Sequence, residues 1–266
     1  MQYVHIGSQE ISRFILGSNP FSGFSHQGSE RDREMKHYFS TEHIKATLRD
    51  AERLGITTLI GRTDHHVMRV LLEYWDEGGK IQWFAQTCPE VGNHEACITR
   101  AASGGAKACH IHGGVMDYML AQNKMDDVAG VVAMIRKHGL LAGIAGHNPK
   151  VFEWAEANVK VDYYMCSYYN SAHRDEKAEH VSGTTEWFLE DDRRIMSELI
   201  PKLTKPVIHY KILAAGRNDP QEAFDFAAKC LRPTDAVCVG VYPRDKASML
   251  ADDVKMFLAS LTAAKR

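Results

Sequence analysis

The stretch from residue 81 to residue 112 reads IQWFAQTCPEVGNHEACITRAASGGAKACHIH and decides the fold class. It contains an apolar strand-like run at 81–86, a helical pattern at 94–102 and a second strand-like run at 107–112. A helix between two strands is the crossover that parallel neighbours in a sheet require. This segment therefore predicts a parallel α/β sheet.

The same unit recurs along the chain. The other strand-like runs lie at 14–17, 56–60, 140–145, 162–167, 206–212 and 236–241, and the other helical patterns at 41–54, 65–77, 126–138, 149–157, 185–200, 220–230 and 245–261. Strict alternation of eight strands with eight helices predicts one closed (β/α)₈ TIM barrel over residues 1–266. An open doubly wound sheet is the alternative, but no Gly-x-Gly-x-x-Gly follows the first strand.

Composition and charge exclude several classes of protein. The 266 residues carry 32 basic and 34 acidic side chains without a basic tract, which argues against nucleic acid as a partner. No segment approaches the roughly 18 apolar residues of a membrane span, and residues 1–12 lack the apolar run of a signal peptide. We therefore expect a cytoplasmic protein that acts on a small molecule, with its six cysteines as free thiols.

Histidines are concentrated at the predicted C-terminal ends of the strands, where barrel active sites lie. Within 107–112, side chains alternate between the two faces, so His110 and His112 point the same way. Cys109 and Ile111 suit the side that faces the helices, which leaves both histidines in the lumen. We expect His112, at the strand mouth, to be catalytic. His110, which is deeper, is either functional or a hydrogen-bonded core residue.

The same strand ends suggest a metal site. His147 and His209 could join His112 in the pocket, with Asp64 or His66 supplied by the loop after the second strand. Imidazole and carboxylate groups are the usual ligands of divalent zinc, manganese or iron. Histidines that donate protons and hydrogen bonds to a sugar-like substrate explain the same residues without a metal. In either case Asp64 or His66 is expected to supply a further ligand or a base.

Lys211 lies in an otherwise apolar strand, so it must reach water at the mouth or be held by a partner. With His209 on its face, it is expected to enter the pocket as a base, a charge partner or a Schiff-base nucleophile. The alternative is a lysine that only pairs with a carboxylate such as Asp64. The polar loop 171–184 is predicted to be a lid or else a solvated connection. The predicted substrate-binding residues are Asn19, Arg62, Asn148, Asn170 and Arg174.

Four segments of the sequence can be compared with a known family. They are an opening hairpin and first strand at 3–23 (YVHIGSQEISRFILGSNPFSG), the fifth strand end at 143–149 (GIAGHNP), the sixth strand at 162–174 (DYYMCSYYNSAHR) and the last turn at 240–249 (GVYPRDKASM). These segments resemble those of the aldo-keto reductases. The resemblance implies the same barrel with a hairpin across its floor. It also implies that Asn148, Asn170, Tyr210 and Arg244 lie near a nicotinamide nucleotide, NAD(P). An inward Tyr210 conflicts with an inward His209 and Lys211 unless the strand end bulges.

The departures from that family bear on function. Its carbonyl reduction uses a tetrad of Asp, Tyr, Lys and His, of which only His112 is matched. Thr87 stands in place of the lysine, and residues 61–66 (GRTDHH) replace the segment with the acid and the phenol. Carbonyl reduction is therefore expected to be impaired.

The leading hypothesis is a lyase, isomerase or hydrolase with histidine-centred acid/base chemistry. Its substrate would be a small polyhydroxylated or keto-sugar compound, and a divalent metal could assist. One alternative is an NAD(P)H-dependent reductase with an atypical site. Another is a non-catalytic ligand-binding barrel.

Overall fold

Eight parallel strands close into a barrel in the computed structural model, which describes residues 1–172, 174, 176–178 and 186–264. The barrel strands are β3 (Phe14–Gly17), β4 (Thr58–Arg62), β5 (Gln82–Gln86), β6 (Ala108–Ile111), β7 (Leu141–Gly146), β8 (Tyr163–Ser167), β9 (Val207–Tyr210) and β10 (Ala236–Val239). Each strand pairs in parallel with its neighbour in sequence, and β10 pairs with β3. The predicted (β/α)₈ barrel is confirmed.

A short antiparallel hairpin precedes the barrel. Its strands are β1 (Tyr3–Ile6) and β2 (Gln9–Ser12), joined by a turn in which Gly7 has φ +54°. Val4, Ile6 and Ile11 pack into one buried apolar cluster with inward side chains of the barrel strands. The hairpin therefore closes the floor of the barrel, as the resemblance implied.

Ten α-helices surround the strands in the part of the chain that the structure describes. They are α1 (Ser29–Tyr38), α2 (Thr41–Arg53), α3 (His65–Asp76), α4 (His94–Ser103), α5 (Gly113–Ala121), α6 (Val128–Lys137), α7 (Pro149–Asn158), α8 (Glu190–Leu199), α9 (Pro220–Cys230) and α10 (Met249–Ala263). Helix α1 lies before 41–54, the first helical pattern predicted from the sequence. Helix α5 has no counterpart among the predicted helices.

The core has two parts. The larger cluster fills the space between strands and helices and includes Cys109 and Ile111. The smaller cluster fills the lumen. Alternation in β6 therefore agrees with the prediction, since His110 turns inward and contacts the lumen residue Tyr163. All six cysteines are free, and none of the described helices is long and apolar enough to cross a bilayer.

Candidate active site

A cavity of about 550 Å³ opens at the C-terminal ends of the barrel strands. This volume is in the range of small-molecule sites. The cavity is lined by the following residues predicted for the site: Asn19, Arg62, His112, His147, Arg174, Tyr210 and Lys211. Seven side chains from the mouth of one barrel thus meet around one space.

Two buried side chains in this region, Asp117 and His147, form a hydrogen-bonded chain with the half-buried Tyr210. We call these three residues the buried triad. Nδ1 of His147 lies 2.6 Å from Oδ2 of Asp117, and Nε2 of His147 lies 3.2 Å from the phenolic oxygen of Tyr210. Oδ1 of Asp117 also accepts the backbone N–H groups of His147 (3.1 Å) and Asn148 (3.0 Å). The carboxylate is therefore held by three donors.

The hydrogen bonds assign a proton position within the buried triad. An ionised Asp117 can only accept, so Nδ1 of His147 carries the ring proton and the Nε2 lone pair faces Tyr210. Burial lowers the pKa of His147, against the opposing effect of Asp117, and burial raises the pKa of Tyr210 well above its ordinary value. A neutral imidazole thus stands beside a neutral phenol, an arrangement that can pass a proton in either direction.

Gly113, the first residue of α5, makes room for this contact. A Cβ atom at Gly113 would lie 2.9 Å from the phenolic oxygen of Tyr210 and 3.0 Å from Cε1 of His147. A larger residue would have to displace one of the two rings. Gly113 is required because the rings of Tyr210 and His147 lie close to its Cα atom, and not because of its backbone conformation.

Lys211 follows β9 directly and has a left-handed φ of +57°. This kink lets two consecutive residues, Tyr210 and Lys211, both reach the cavity. Nζ of Lys211 donates to Oγ of Ser171 (2.8 Å), and burial lowers the pKa of the amine to about 8. The predicted entry of Lys211 into the pocket is confirmed, and its predicted alternative, pairing with Asp64, is wrong.

His112 directly follows β6 and occupies the N-cap position of α5. Its backbone N–H donates to Oγ1 of Thr87 (3.0 Å), so the threonine in place of the family's lysine supports this strand end. Nδ1 of His112 is buried and finds no hydrogen-bond partner in the described part of the chain. Burial, together with the nearby His147, holds the pKa of His112 well below its ordinary value. A neutral imidazole is therefore available to a ligand.

His110 fits the structural alternative. It is completely buried, and its Nδ1 lies 3.1 Å from the phenolic oxygen of Tyr163 in the lumen. It does not line the cavity.

Two predicted site residues serve as helix caps instead. Asp64 does not line the cavity; its Oδ1 accepts the backbone N–H of Val67 (2.8 Å) at the start of α3, and its Oδ2 pairs with Nε of Arg62 (2.8 Å). The prediction of Asp64 as a base or ligand is wrong, because the side chain is used to cap α3 and to hold Arg62. The Asn148 side chain likewise caps α7 by accepting the backbone N–H of Lys150 (3.0 Å).

The predicted metal ligands do not converge. His66 is exposed on α3. His209 is completely buried and faces the helices, with Nδ1 3.0 Å from the Tyr168 hydroxyl and Nε2 3.4 Å from Asp235. The inward prediction for His209 is wrong because the kink at Lys211 interrupts the alternation. Among the described residues, no three His, Cys, Asp or Glu side chains come together as a metal-ligand group.

Most residues predicted to hold a nicotinamide nucleotide also lie elsewhere. Asn170 and Arg244 are exposed, and neither they nor Asn148 line the cavity. Tyr210 does, as the resemblance implied. The predicted lid at 171–184 falls largely on residues 173, 175 and 179–184, which lie outside the described residues.

Asp117 is the functional residue that sequence reasoning missed. It lies on α5, where six of the nine residues are buried, so no narrow apolar stripe marks the helix. An acidic residue inside the apolar run 113–121, directly after His112, was the available signal.

No protein-family model matches the chain, and no curated protein matches its sequence. Among solved structures, a protein of Pseudomonas aeruginosa assigned to the aldo-keto reductases superposes with a TM-score of 0.65 at 17% identity, covering 97% of this chain and 96% of that one. An aldo-keto reductase of Bacillus halodurans gives 0.58 at 12% identity, with 98% and 96% covered.

A third similar structure is a truncated 3-deoxy-D-arabino-heptulosonate 7-phosphate synthase of Thermotoga maritima. It superposes with a TM-score of 0.55 at 14% identity, covering 99% of this chain and 90% of that one. Because one fold hosts many chemistries, identities this low establish architecture alone. The chain has the (β/α)₈ barrel fold that the aldo-keto reductases share.

Proposed function

We propose that the chain is an enzyme whose buried triad transfers protons to and from a small, hydroxylated carbonyl compound of the keto-sugar type, in a lyase or isomerase reaction. The observation that carries this proposal is the hydrogen-bonded line from Asp117 through His147 to Tyr210, which ends at the cavity wall.

The buried triad transfers protons as other carboxylate–histidine pairs do. When Tyr210 takes a proton from a substrate carbon, its own phenolic proton passes to Nε2 of His147. In the reverse direction His147 returns that proton to Tyr210 as Tyr210 protonates a substrate carbon or oxygen. Asp117 stabilises the imidazolium that forms, as the buried aspartate does in the Ser-His-Asp triad. General acid/base catalysis of this kind contributes about 10²–10⁴-fold in rate.

The surrounding groups favour a substrate that develops negative charge on oxygen. Lys211, Arg174 and Arg62 line the same cavity, and the neutral His112 can donate a hydrogen bond to a carbonyl oxygen. Fixed cations and donors of this kind stabilise enediolate-like intermediates. The polar side chains in the cavity wall can also form hydrogen bonds with the hydroxyl groups of such a substrate.

Neither predicted cofactor enters this proposal. Of the four predicted metal ligands, His66 and His209 lie outside the cavity, so the proposed chemistry does not depend on a metal. Of the four residues expected to hold a nicotinamide nucleotide, only Tyr210 lines the cavity, and it bonds to His147. These residues do not fit the nucleotide, so the proposed chemistry includes no hydride transfer.

The test is solvent deuterium exchange into carbon-bound positions of dihydroxyacetone and related keto-sugars, followed by proton NMR. We expect the wild-type protein to catalyse exchange and His147→Gln to lose about 10²–10⁴-fold of the rate. Asp126→Asn changes an exposed acid and serves as the matched control. Specific ligand binding without exchange by the wild type would contradict the proposal and favour the non-catalytic barrel.

A further inference from the structure

Lys211 differs from Arg31 and Arg62, two other cations of the cavity wall, because it forms no ion pair with the residues that the structure describes. Arg31 pairs with Asp245 and Glu34, and Arg62 pairs with Asp64 and Glu90. No carboxylate of the described residues lies within ion-pair distance of Nζ of Lys211. Its neighbours there are the Ser171 hydroxyl at 2.8 Å and the Phe188 ring, whose centroid is 5.9 Å away.

This environment suits an amine that must react as a nucleophile. A lysine is nucleophilic only when neutral, and burial without a partner favours the neutral form. The pKa of Lys211 is lowered to about 8 by burial, and Arg174 adds to the effect while Glu186 opposes it. A usable fraction of the amine is therefore neutral near pH 7.

The position of Lys211 places this amine beside a proton donor. Lys211 follows Tyr210 in sequence, and the left-handed kink turns both side chains into one cavity. His147 of the buried triad lines the same cavity as Lys211, and after burial and Asp117 the charge of Lys211 also bears on the pKa of His147, which it lowers. An amine next to a proton relay is the combination that carbinolamine formation and dehydration require.

We propose that Lys211 forms a Schiff base with the carbonyl carbon of a ketone or aldehyde substrate, so that the enzyme activates the adjacent carbon through an imine. The inference rests on the proposed function, because it takes the buried triad as the source of protons. It deepens that function by naming the covalent step and the substrate group.

The step balances without an oxidant or reductant. The Nζ lone pair attacks the carbonyl carbon, the C=O π electrons move to oxygen, and one amine proton transfers to that oxygen to give a carbinolamine. Tyr210 then protonates the hydroxyl as the C–O bond breaks, which releases water and leaves a protonated imine. The phenolate takes a proton from the adjacent carbon, and the C–H electrons form the enamine. Water reverses the sequence and frees the lysine.

The experiment traps the imine in the wild-type protein. Dihydroxyacetone and cyanoborohydride are added, and each lysine adduct is quantified by peptide mass spectrometry. We expect Lys211 to be modified at least about tenfold faster than the exposed Lys150, because its neutral fraction is larger. The rate should saturate with probe concentration. Equal, non-saturating modification of Lys211 and Lys150 would overturn the proposal and leave Lys211 as an electrostatic group.

Two variants separate this inference from the proposed function. Lys211→Arg keeps the positive charge but cannot form an imine, and Lys150→Arg is the matched control. Loss of deuterium exchange in Lys211→Arg alone supports the covalent step. Retained exchange in Lys211→Arg overturns the Schiff base but leaves the buried triad as the catalyst. Saturable trapping at Lys211 without exchange by the wild type supports the imine and contradicts the proposed function.

Discussion

Nδ1 of His147 lies 2.6 Å from Oδ2 of Asp117, and both side chains are more than nine-tenths buried. The histidine follows β7 and the aspartate lies on α5, so the pair joins two elements that are distant in sequence. Because Nδ1 of His147 donates its proton to Asp117, Nε2 of the same ring can exchange a proton with Tyr210. Asp117 thereby orients the buried His147 so that it can act as a base.

Asp117→Asn should reduce deuterium exchange by about 10²–10⁴-fold, because the amide cannot stabilise an imidazolium and can favour the wrong tautomer of His147. An asparagine oxygen can still accept the backbone N–H groups of His147 and Asn148, so the thermal midpoint should change little. Exchange kinetics and thermal melting of the same sample check both parts. A large loss of stability with exchange intact would identify Asp117 as a structural residue.

Two buried histidines should respond in opposite ways to alanine substitution. His112→Ala removes a ring whose Nδ1 has no partner in the described residues, so activity should fall while the free energy of unfolding stays nearly constant. His209→Ala removes hydrogen bonds to Tyr168 and Asp235 and should lower the free energy of unfolding by about 1–3 kcal/mol with activity retained. Urea denaturation and exchange assays distinguish the two outcomes. The reverse pattern would contradict the assignment of His112 to the active site and of His209 to the core.

Gly113→Ala should disrupt the contact between Tyr210 and His147, because the added Cβ would lie 2.9 Å from the phenolic oxygen. We expect a loss of exchange activity that exceeds any loss of stability. Gly130→Ala is the matched control, since a Cβ there meets nothing within 4 Å on α6. It should leave activity unchanged and add up to about 1 kcal/mol of stability. Full activity in Gly113→Ala would contradict the steric argument.

The lowered pKa of Lys211 predicts two pH effects. Imine trapping should rise as the pH approaches about 8, where the amine becomes neutral, and then level off. Between about pH 8 and the ordinary value of 10.5, the unfolded chain binds a proton that the folded protein has lost, so the free energy of unfolding should increase with pH. Subtracting the profile of Lys211→Met isolates this contribution. Identical profiles for the two proteins would show that the amine titrates normally.

The barrel was predictable because eight apolar runs alternate with helical patterns, and the inward direction of His112 followed from the apolar Cys109 and Ile111 on either side of His110. Tyr210 faces inward as the family resemblance implied. Alternation alone misplaced His209, because the left-handed backbone at Lys211 breaks the two-residue period at the strand end.

Other site assignments failed for local reasons. Asp64 and Asn148 stand where a strand end meets a helix start, and short polar side chains at that position are preferred N-caps. Asp117 was not predicted because α5 was not recognised as a helix. This helix begins with two glycines and is buried on most sides, so its sequence lacks the alternation of apolar and polar residues expected of a surface helix. The partners of a strand-end histidine depend on which helix packs over it, and that is decided by tertiary packing.

Solvent deuterium exchange into dihydroxyacetone by wild type and Tyr210→Phe, measured side by side, tests the central claim most directly. The substitution removes one oxygen atom, at the point where the buried triad meets the cavity. The proposed mechanism predicts exchange by the wild type and a loss of about 10²-fold or more in the variant, with both proteins folded. Equal exchange rates in the two proteins would contradict it.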